Sequence, residues 1–357
     1  MFMERKFLER ILLKSPEMGP DQHQIGEYSR LRIAVIGDSL TVACLSAECQ
    51  VMEITPLNYW WVLKFWRPDL LFVESAWRGK RNSWRYKIAS YPEFPERNNL
   101  ALQKVVTYAK DRNIATFFWN KEDGVHYDRF VDSAELFDQI GTVDSTCLEK
   151  YRADLGSDKQ VSVLMFAVQP KFHGVLSKES PGFTRAASFV GSYSTHLHER
   201  RRHWQDMMFE VFSPMGLDIY DRNSDRSSPV YRYPKMPGMT VYPGVKNQQT
   251  ARIYRSYRYC LNVNTIEDSP TMFSRRLIEI MAVGGVAITT DSQAVRELFS
   301  DYCYSFGSRE DLLEIIERTQ GEGYQAARQR ALAGAEYVRA NHTWLHRLQQ
   351  LESSGLF

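Results

Sequence analysis

Short apolar runs of four to six residues recur along the first half of the chain and end in glycine or polar residues. They cover residues 31–36, 51–54, 70–73, 114–119 and 140–143. Residues 97–112, between the third and fourth runs, have the apolar spacing of a helix. Runs of this length are typical of strands buried in a parallel sheet. Strands that alternate with helices predict a doubly wound α/β domain.

A second pattern of the same kind begins after a stretch rich in Gly, Pro, Ser and Lys at residues 174–185, which we interpret as a linker. Its strands are predicted at 187–190, 217–220, 259–263 and 286–290, and its helices include 196–213 and 323–351. At roughly 100–200 residues per domain, a chain of 357 residues predicts two domains. We predict an N-terminal extension over 1–30, an N-terminal domain over 31–180, a C-terminal domain over 186–335 and a C-terminal helix over 336–357.

Composition excludes several classes of protein. Lysine plus arginine (45) nearly balances aspartate plus glutamate (43), so the net charge gives no general case for a nucleic-acid partner. The five cysteines form an odd set without a C-x-x-C pair, which argues against a disulfide framework and a cysteine zinc site and fits a reducing compartment.

The N-terminus carries charges throughout and no apolar run approaches a membrane span, so we expect a cytoplasmic protein. Residues 7–14 read as a short amphipathic helix that packs on the domain, and peripheral membrane contact is kept as the alternative.

Gly37-Asp38-Ser39-Leu40 looks like the nucleophile block of GDSL-type esterases, with Ser39 as the attacking hydroxyl. Asp123 and His126 have the D-x-x-H spacing that such enzymes use for the acid and base. The Gly-x-Asn-Asp block that would supply an oxyanion donor is absent, and the D-x-x-H does not close the domain as it does in that family. We therefore interpret the segment as a glycine-bearing turn after the first strand, and the esterase remains an alternative.

Residues 258–291 contain the strongest candidate binding site. A strand ends in Asn262 and Asn264, and a polar turn with Pro270 leads into a helix that carries Arg276 and Glu279 three residues apart on one face. A helix N-terminus suits a diphosphate, an arginine can add a bidentate phosphate contact, and a carboxylate one turn later can bind ribose hydroxyls. The alternative is a solvated Arg–Glu pair on an ordinary helix.

A glycine turn follows the first strand of the second pattern, at Gly191-Ser192-Tyr193, and a basic cluster follows at 198–203. A glycine between strand and helix lets a ligand approach the backbone. The three arginines of the cluster cannot all face one ligand, so we predict that Arg200 or Arg201 contacts a phosphate.

In the first pattern, residues 118–130 follow a strand directly, and ligands of such sheets gather at the carboxyl ends of strands. Glu122, Asp123 and His126 are therefore candidates to deprotonate an acceptor hydroxyl. A surface loop that caps a helix is the alternative.

The chain resembles bacterial glycosyltransferases that combine a DUF3880-type N-terminal domain with a CgeB-like, group 1 C-terminal domain. The resemblance spans roughly residues 31–347. The segments that carry it are PDLLFVESAWRGKRNSWRYKIA (68–89), FFWNKEDGVHYDRF (117–130), FVGSYSTHLHERRRHW (189–204), IYDRNS (219–224), NVNTIEDSPTMFSRRLIEIMAVGG (262–285) and HTWLHR (342–347).

The resemblance implies a GT-B fold, in which two Rossmann-like domains face each other across a cleft. The C-terminal domain would bind a nucleotide-sugar and the N-terminal domain the acceptor. The positions that match the donor-side motifs are Gly191, Ser192, Tyr193, Asp221, Arg222, Asn264, Ser274, Arg276 and Glu279. Family members carry an acidic residue after the first strand, which adds Asp38 to the candidate catalytic residues, and Glu74 and Trp77 are predicted to bind the acceptor.

Glu279 looks like the second acid of the E-x7-E pattern of related retaining transferases, whereas the position of the first acid is Thr271. This departure leaves a retaining or an inverting reaction open. The resemblance further implies that no metal and no cofactor is needed besides a UDP- or GDP-linked sugar as co-substrate.

The predicted function is transfer of a hexosyl unit from a nucleotide diphosphate-sugar to a hydroxyl of a glycan or glycolipid acceptor, without a nucleic-acid partner. A non-catalytic GT-B-like nucleotide-binding protein is the second alternative beside the esterase. The oligomeric state stays open.

Overall fold

The computed structural model describes residues 26–174 and 183–357. The helix predicted at 7–14, most of the predicted extension and most of the predicted linker lie outside the described residues. The chain forms two compact units. The first unit contains residues 26–167, 269–272 and 342–357, and the second contains residues 168–174, 183–268 and 273–341.

The first unit is built on six parallel strands in the order β2-β1-β3-β4-β5-β6. These are β1 (Arg32–Ile36), β2 (Gln50–Glu53), β3 (Leu70–Glu74), β4 (Ala115–Asn120), β5 (Gln139–Thr142) and β6 (Gln160–Val163). The helices that follow them are α1 (Ser39–Ser46), α2 (Tyr59–Trp61), α3 (Leu100–Lys110), α4 (Asp123–Ala134) and α5 (Leu148–Leu155), with a π-helical turn at Val62–Trp66 and 3-10 turns at Lys80–Asn82 and Ser145–Cys147.

The second unit repeats the plan with six parallel strands in the order β12-β11-β10-β7-β8-β9. These are β7 (Arg185–Gly191), β8 (Leu217–Asp221), β9 (Met239–Pro243), β10 (Tyr257–Asn262), β11 (Ala287–Thr290) and β12 (Tyr304–Phe306). Its helices are α6 (Glu199–Phe212), α7 (Asn247–Arg255), α8 (Arg275–Ala282), α9 (Gln293–Leu298), α10 (Arg309–Arg318) and α11 (Gly323–Asn341), with 3-10 turns at Ser213–Met215 and Pro229–Tyr231.

The apolar runs became strands because each unit buries both faces of its sheet. All five residues of β3 and all five of β8 are buried. Such strands have no solvent face and therefore show continuous apolar runs rather than alternation. The prediction of two α/β patterns is confirmed.

Each sheet has one point where the strand order reverses, and ligands of open α/β sheets bind outside the carboxyl ends of the strands at that point. In the first unit this point lies between β1 and β3, next to Asp38 and Glu74. In the second unit it lies between β7 and β10, next to Gly191 and Asn262. The strand order therefore concentrates residues that the sequence singled out at two edges.

The single helix predicted over 323–351 is wrong, because the structure has two helices there. Helix α11 ends at Asn341, and helix α12 (Trp344–Ser353) begins after Thr343, whose hydroxyl lies 2.7 Å from His346 Nδ1 in a reciprocal cap. The two helices also belong to different units. Arg347 holds α12 on the first unit, since its guanidinium donates to the carbonyl oxygens of Met165 (2.8 Å) and Phe166 (3.2 Å).

Candidate functional site

Arg276 lies at the reversal point of the second sheet. Its guanidinium stacks over the Phe189 ring, 4.5 Å from the ring centroid, and its Nη1 is 3.3 Å from Asn262 Oδ1. A Cβ atom on Gly191 would lie only 2.8 Å from Arg276 Nη2. The absence of a side chain at Gly191 therefore gives the guanidinium its place across the end of β7.

Three guanidinium groups, those of Arg201, Arg222 and Arg276, influence one another here. Burial, together with the charges of Arg201 and Arg222, lowers the pKa of Arg276 to about 10. Burial and the charge of Arg222 also lower the pKa of Arg201. Among the described residues none of the three forms a salt bridge, so the site carries uncompensated positive charge. Such a site favours an anion.

Two polar atoms at this cluster are buried without a hydrogen-bond partner, Nε of Arg201 and the hydroxyl of Tyr233. Burial raises the pKa of Tyr233, whereas the charges of Arg276, Arg201 and Arg222 act in the opposite direction. Buried polar groups are normally paired in native proteins, so an unpaired donor beside unpaired charge points to a ligand. Tyr233 carries no local sequence signal, because it lies in the irregular stretch between Tyr231 and β9.

The ends of β7 and β8 are tied together behind the cluster. The backbone N–H of Arg222 donates to the Gly191 carbonyl oxygen (2.8 Å). Asp221 is buried at the end of β8, where its Oδ1 accepts from the N–H of Asn223 (2.8 Å), and burial raises its pKa. These contacts fix the backbone that carries Arg222.

Helix α8 is positioned by Asn264. The Asn264 Oδ1 accepts from the N–H of Ser274 (3.0 Å), and its Nδ2 donates to the Thr290 carbonyl oxygen (2.9 Å) and to Thr289 Oγ1 (3.1 Å). Ser274 is the residue before the helix and makes no side-chain capping bond. The first N–H groups of a helix have no partner within it, so the start of α8 beside Arg276 offers donors to a phosphate. Asn264 acts on the site by holding this helix.

Glu279 lies one turn into α8 and is 5% exposed. It accepts from Asn247 Nδ2 (2.9 Å) and pairs with Arg275 Nε (3.2 Å). Asn247 Oδ1 is buried without a partner. The Thr250 hydroxyl donates to the Asn247 carbonyl oxygen (2.8 Å) and lies 2.9 Å from His173 Nε2. Sequence reasoning missed Asn247 and His173.

Other predicted donor residues have partners elsewhere in the second unit. The Arg200 Nε donates to Glu267 (2.8 Å), and its side chain is 75% exposed. The Tyr193 hydroxyl donates to Asp206 (2.8 Å). Of the two arginines left open by the sequence, the structure brings Arg201 into the cluster. Ser192 contributes its carbonyl oxygen, which accepts from Arg201 Nη2 (3.4 Å).

Thr271, at the position of the first acid of E-x7-E, belongs to the first unit. Its hydroxyl donates to the Val143 carbonyl oxygen (3.0 Å) and accepts from the N–H of Ser145 (2.8 Å). Both hydrogen-bonding roles of the hydroxyl are therefore taken.

At the reversal point of the first sheet, Lys121 joins two predicted acids. Its Nζ lies 2.5 Å from Asp38 Oδ2 and 3.0 Å from Glu74 Oε1. Glu74 is fully buried, and burial raises its pKa, whereas the charge of Lys121 lowers it. Glu74 also accepts from the N–H of Asp38 and from the Thr41 hydroxyl (2.6 Å). Sequence reasoning quoted Lys121 within a motif but gave it no role.

The contacts of Glu74 also account for the segment that looks like an esterase block. A Cβ on Gly37 would lie 3.1 Å from the Glu74 carboxyl carbon, and Asp38 Oδ1 accepts from the N–H groups of Leu40 and Thr41 as the cap of α1. Ser39 is exposed, and within the described ranges no histidine is hydrogen-bonded to its hydroxyl.

The three candidate bases differ in environment. Asp123 is 3% exposed and accepts hydrogen bonds from Asn120 and Tyr151 (3.0 Å), and burial raises its pKa to about 7. Glu122 lies half-buried before α4. His126 is half-buried against Trp77, with ring centroids 5.1 Å apart. Burial and the charge of Arg129 lower the pKa of His126, so its imidazole is neutral at pH 7 and able to accept a proton.

A protein-family model described as glycosyl transferase-like matches residues 194–353. This part of the chain is therefore similar to that family. The matched range includes Arg201, Arg222, Arg276 and Glu279. A search of curated protein sequences found no match.

Solved structures of known glycosyltransferases share the fold. Sucrose-phosphate synthase from Thermosynechococcus elongatus has 13% identity and a TM-score of 0.54, over 91% of this chain and 98% of that chain. An alpha-glucosyltransferase in complex with UDP and a 13-mer DNA has 9% identity and a TM-score of 0.61, over 91% and 99%. Anabaena HepE in complex with UDP and glucose has 9% identity and a TM-score of 0.55, over 92% of both chains. At these identities the likeness shows the fold, and the predicted α/β fold of GT-B type is confirmed.

Two further properties concern metals and membranes. No group of three His, Cys, Asp or Glu side chains that could hold a metal ion occurs in the part of the chain that the structure describes. Within the same residues, every helix is too short or too polar to cross a bilayer.

Asp123 should make the stability of the protein depend on pH. Its folded-state pKa of about 7 lies above the usual value of 3.8, so the folded protein holds a proton that the unfolded chain loses. The free energy of unfolding should therefore fall as pH rises from about 4 to about 7, by up to about 1 kcal/mol per pH unit. Urea titrations at several pH values should show a steeper fall in the wild type than in Asp123→Asn, in which only the other buried acids with a raised pKa, such as Glu74 and Asp221, still contribute. The control is Asp128→Asn on the same helix, an 88% exposed side chain that should keep the slope. The same slope in both variants would exclude Asp123 as its source.

Proposed function

We propose that this protein transfers a hexosyl unit from a nucleotide diphosphate-sugar to a hydroxyl group of a glycan or glycolipid. The observation that supports this most is the uncompensated charge of Arg201, Arg222 and Arg276 beside the start of α8. Two neighbours of known structure hold UDP, which makes UDP the first donor nucleotide to test. The CgeB-like motifs noted in the sequence support the same assignment.

The reaction breaks the bond between the sugar C1 and the diphosphate oxygen, and negative charge develops on that oxygen. The guanidinium groups and the N-terminus of α8 would stabilise this charge, because preorganised donors act on charge as it forms. Glu279, held by Asn247 and Arg275, would accept hydrogen bonds from the ribose hydroxyls. The acceptor oxygen forms the new bond to C1, and its proton passes to a base.

Of the three candidate bases, we assign this role to His126. Its pKa is lowered by burial, its ring is partly accessible, and it contacts the predicted acceptor residue Trp77. Asp123 has its carboxylate committed to Asn120 and Tyr151, so it would position the segment after β4. The group formed by Asp38, Glu74 and Lys121 would orient an acceptor hydroxyl.

Arg276→Ala should lower the rate of transfer by at least ~10-fold, because a charged contact of ~1.5–3 kcal/mol to the leaving diphosphate is lost. The variant should also lose the thermal stabilisation that a nucleotide at ~100 times its Kd gives the wild type, about 2.7 kcal/mol. The measurements are a thermal-shift series with UDP, GDP, ADP, CMP and dTDP, and nucleotide release from the matching sugar donors. Arg276→Lys should recover part of the binding. Arg309→Ala, at an exposed arginine paired with Glu210 in the same unit, is the control.

Unchanged binding and transfer in Arg276→Ala would remove this arginine from the mechanism. Nucleotide binding without release of nucleotide from any sugar donor would support the non-catalytic alternative. Labelling of Ser39 by a fluorophosphonate probe would support the alternative of a GDSL-like esterase.

His126→Gln should lower kcat by at least ~100-fold, the usual lower range for a general base, and leave the Kd of the nucleotide unchanged. The amide keeps a polar side chain of similar size but cannot take up the proton. The control is His203→Gln, an exposed histidine of α6. A loss of nucleotide affinity without a drop in kcat would contradict the assignment.

Transfer should not need a divalent metal, because three guanidinium groups already supply positive charge for the leaving diphosphate. Treatment with EDTA followed by gel filtration should leave the turnover within about 2-fold of the untreated enzyme, given that each kcal/mol changes a rate about 5-fold. Restoration of a lost activity by Mg²⁺ or Mn²⁺ would contradict metal independence.

A further inference from the structure

Four large apolar side chains of the first unit face solvent between β2 and β3. Leu57 is 85% exposed, Trp60 49%, Trp61 47% and Phe65 59%. They belong to one short segment rather than being scattered singly over the surface, and contiguous apolar patches mark interaction sites.

Other side chains of the same segment pack into the core of the first unit and fix its position. Val62 is fully buried and Leu63 is 1% exposed. The Tyr59 ring packs edge-on against the Tyr108 ring, with centroids 5.5 Å apart. The exposed side chains also contact one another, since the rings of Trp60 and Trp61 each lie 6.4 Å from that of Phe65. The patch is therefore an ordered surface.

A strongly basic loop adjoins this patch. Residues 75–92 contain five basic residues and no acidic one, although the whole chain has a net charge of only +2. The basic residues are Arg78, Lys80, Arg81, Arg85 and Lys87. The loop packs against the segment that leads into the patch, because Lys80 pairs with Glu53 (3.1 Å) and Trp84 Nε1 donates to the Ile54 carbonyl oxygen (2.8 Å).

We propose that this aromatic patch and the basic loop together dock the first unit on an anionic membrane surface. Tryptophan and other amphipathic rings prefer the boundary between lipid headgroups and acyl chains, and basic residues next to them are attracted to anionic headgroups. Lys64 fits the same arrangement, with its ammonium 5.1 Å from the Phe65 ring centroid.

A soluble polyanion or a second copy of the chain would fit only one of the two parts of this surface, the aromatic patch or the basic loop. A soluble polyanion would neutralise the loop and leave the aromatic side chains in water. In a symmetric dimer through this face, the basic loop of one copy would lie against the same surface of the next, and like charges would repel. An anionic bilayer satisfies both parts at once.

The test is binding of the full chain to vesicles of phosphatidylglycerol and phosphatidylcholine, measured by co-sedimentation against vesicles of phosphatidylcholine alone. The wild type should bind the anionic vesicles at least ~10-fold more tightly. The double variant Trp61→Ser/Phe65→Ser and the double variant Arg81→Glu/Arg85→Glu should each weaken that binding at least ~10-fold. The matched control is Val241→Ser/Leu313→Ser, which removes two exposed apolar side chains (44% and 49%) of the second unit and should bind as the wild type does.

Each variant is first checked for an unchanged circular dichroism spectrum and melting temperature, so that a misfolded protein is not scored. Equal binding to both kinds of vesicle, or full binding by both double variants, would overturn the proposal. So would a wild-type dimer in sedimentation velocity that Trp61→Ser/Phe65→Ser converts to a monomer without lipid. Retention on dextran sulfate that depends only on Arg81 and Arg85, with no effect of the aromatic pair on vesicle binding, would overturn it as well. Because vesicle binding does not depend on turnover, the result stands apart from the proposed transferase activity.

Discussion

The stacking of Arg276 on Phe189 is the interaction on which the candidate donor site depends. It places a charged group over the carboxyl end of β7, and Gly191 makes room for it there. Arg201 and Arg222 act on the same group, and within the described part of the chain none of the three arginines forms a salt bridge. The mutual repulsion of these charges lowers the free energy of unfolding, and binding of an anion to the cluster raises it again.

The sequence predicted nine of the twelve strands that the described residues form, because buried parallel strands and their terminal glycines leave local signals. The strands β6, β9 and β12 were not predicted, and each lies at an edge of its sheet. The sequence could not decide between Arg200 and Arg201, since the outcome depends on where α6 begins and which side of it faces the sheet. Tyr233, Asn247 and His173 were missed for a different reason. Tyr233 reaches the arginine cluster, and Asn247 and His173 reach the surroundings of Glu279, from segments without a motif of their own, so only the tertiary fold brings them there.

The segment that looks like an esterase block shows how packing can produce a motif. Gly37 is small because the Glu74 carboxyl group lies against it, and Asp38 is acidic because it caps α1 and binds Lys121. Gly37 and Asp38 thus each have a structural contact that explains their type. The resemblance to a nucleophile block therefore needs no catalytic serine to explain it.

Glu74, which binds Lys121, and the proposed membrane surface are parts of one continuous stretch of chain, residues 57–92. The basic loop starts directly after Glu74 at the end of β3, and Trp77 lies in its first turn beside His126. An acceptor carried by a lipid in the docked membrane would therefore meet the loop that also leads to the predicted acceptor residues. We therefore propose a lipid-linked glycan as the first acceptor to test, because docking would restrict the search for the acceptor to a surface.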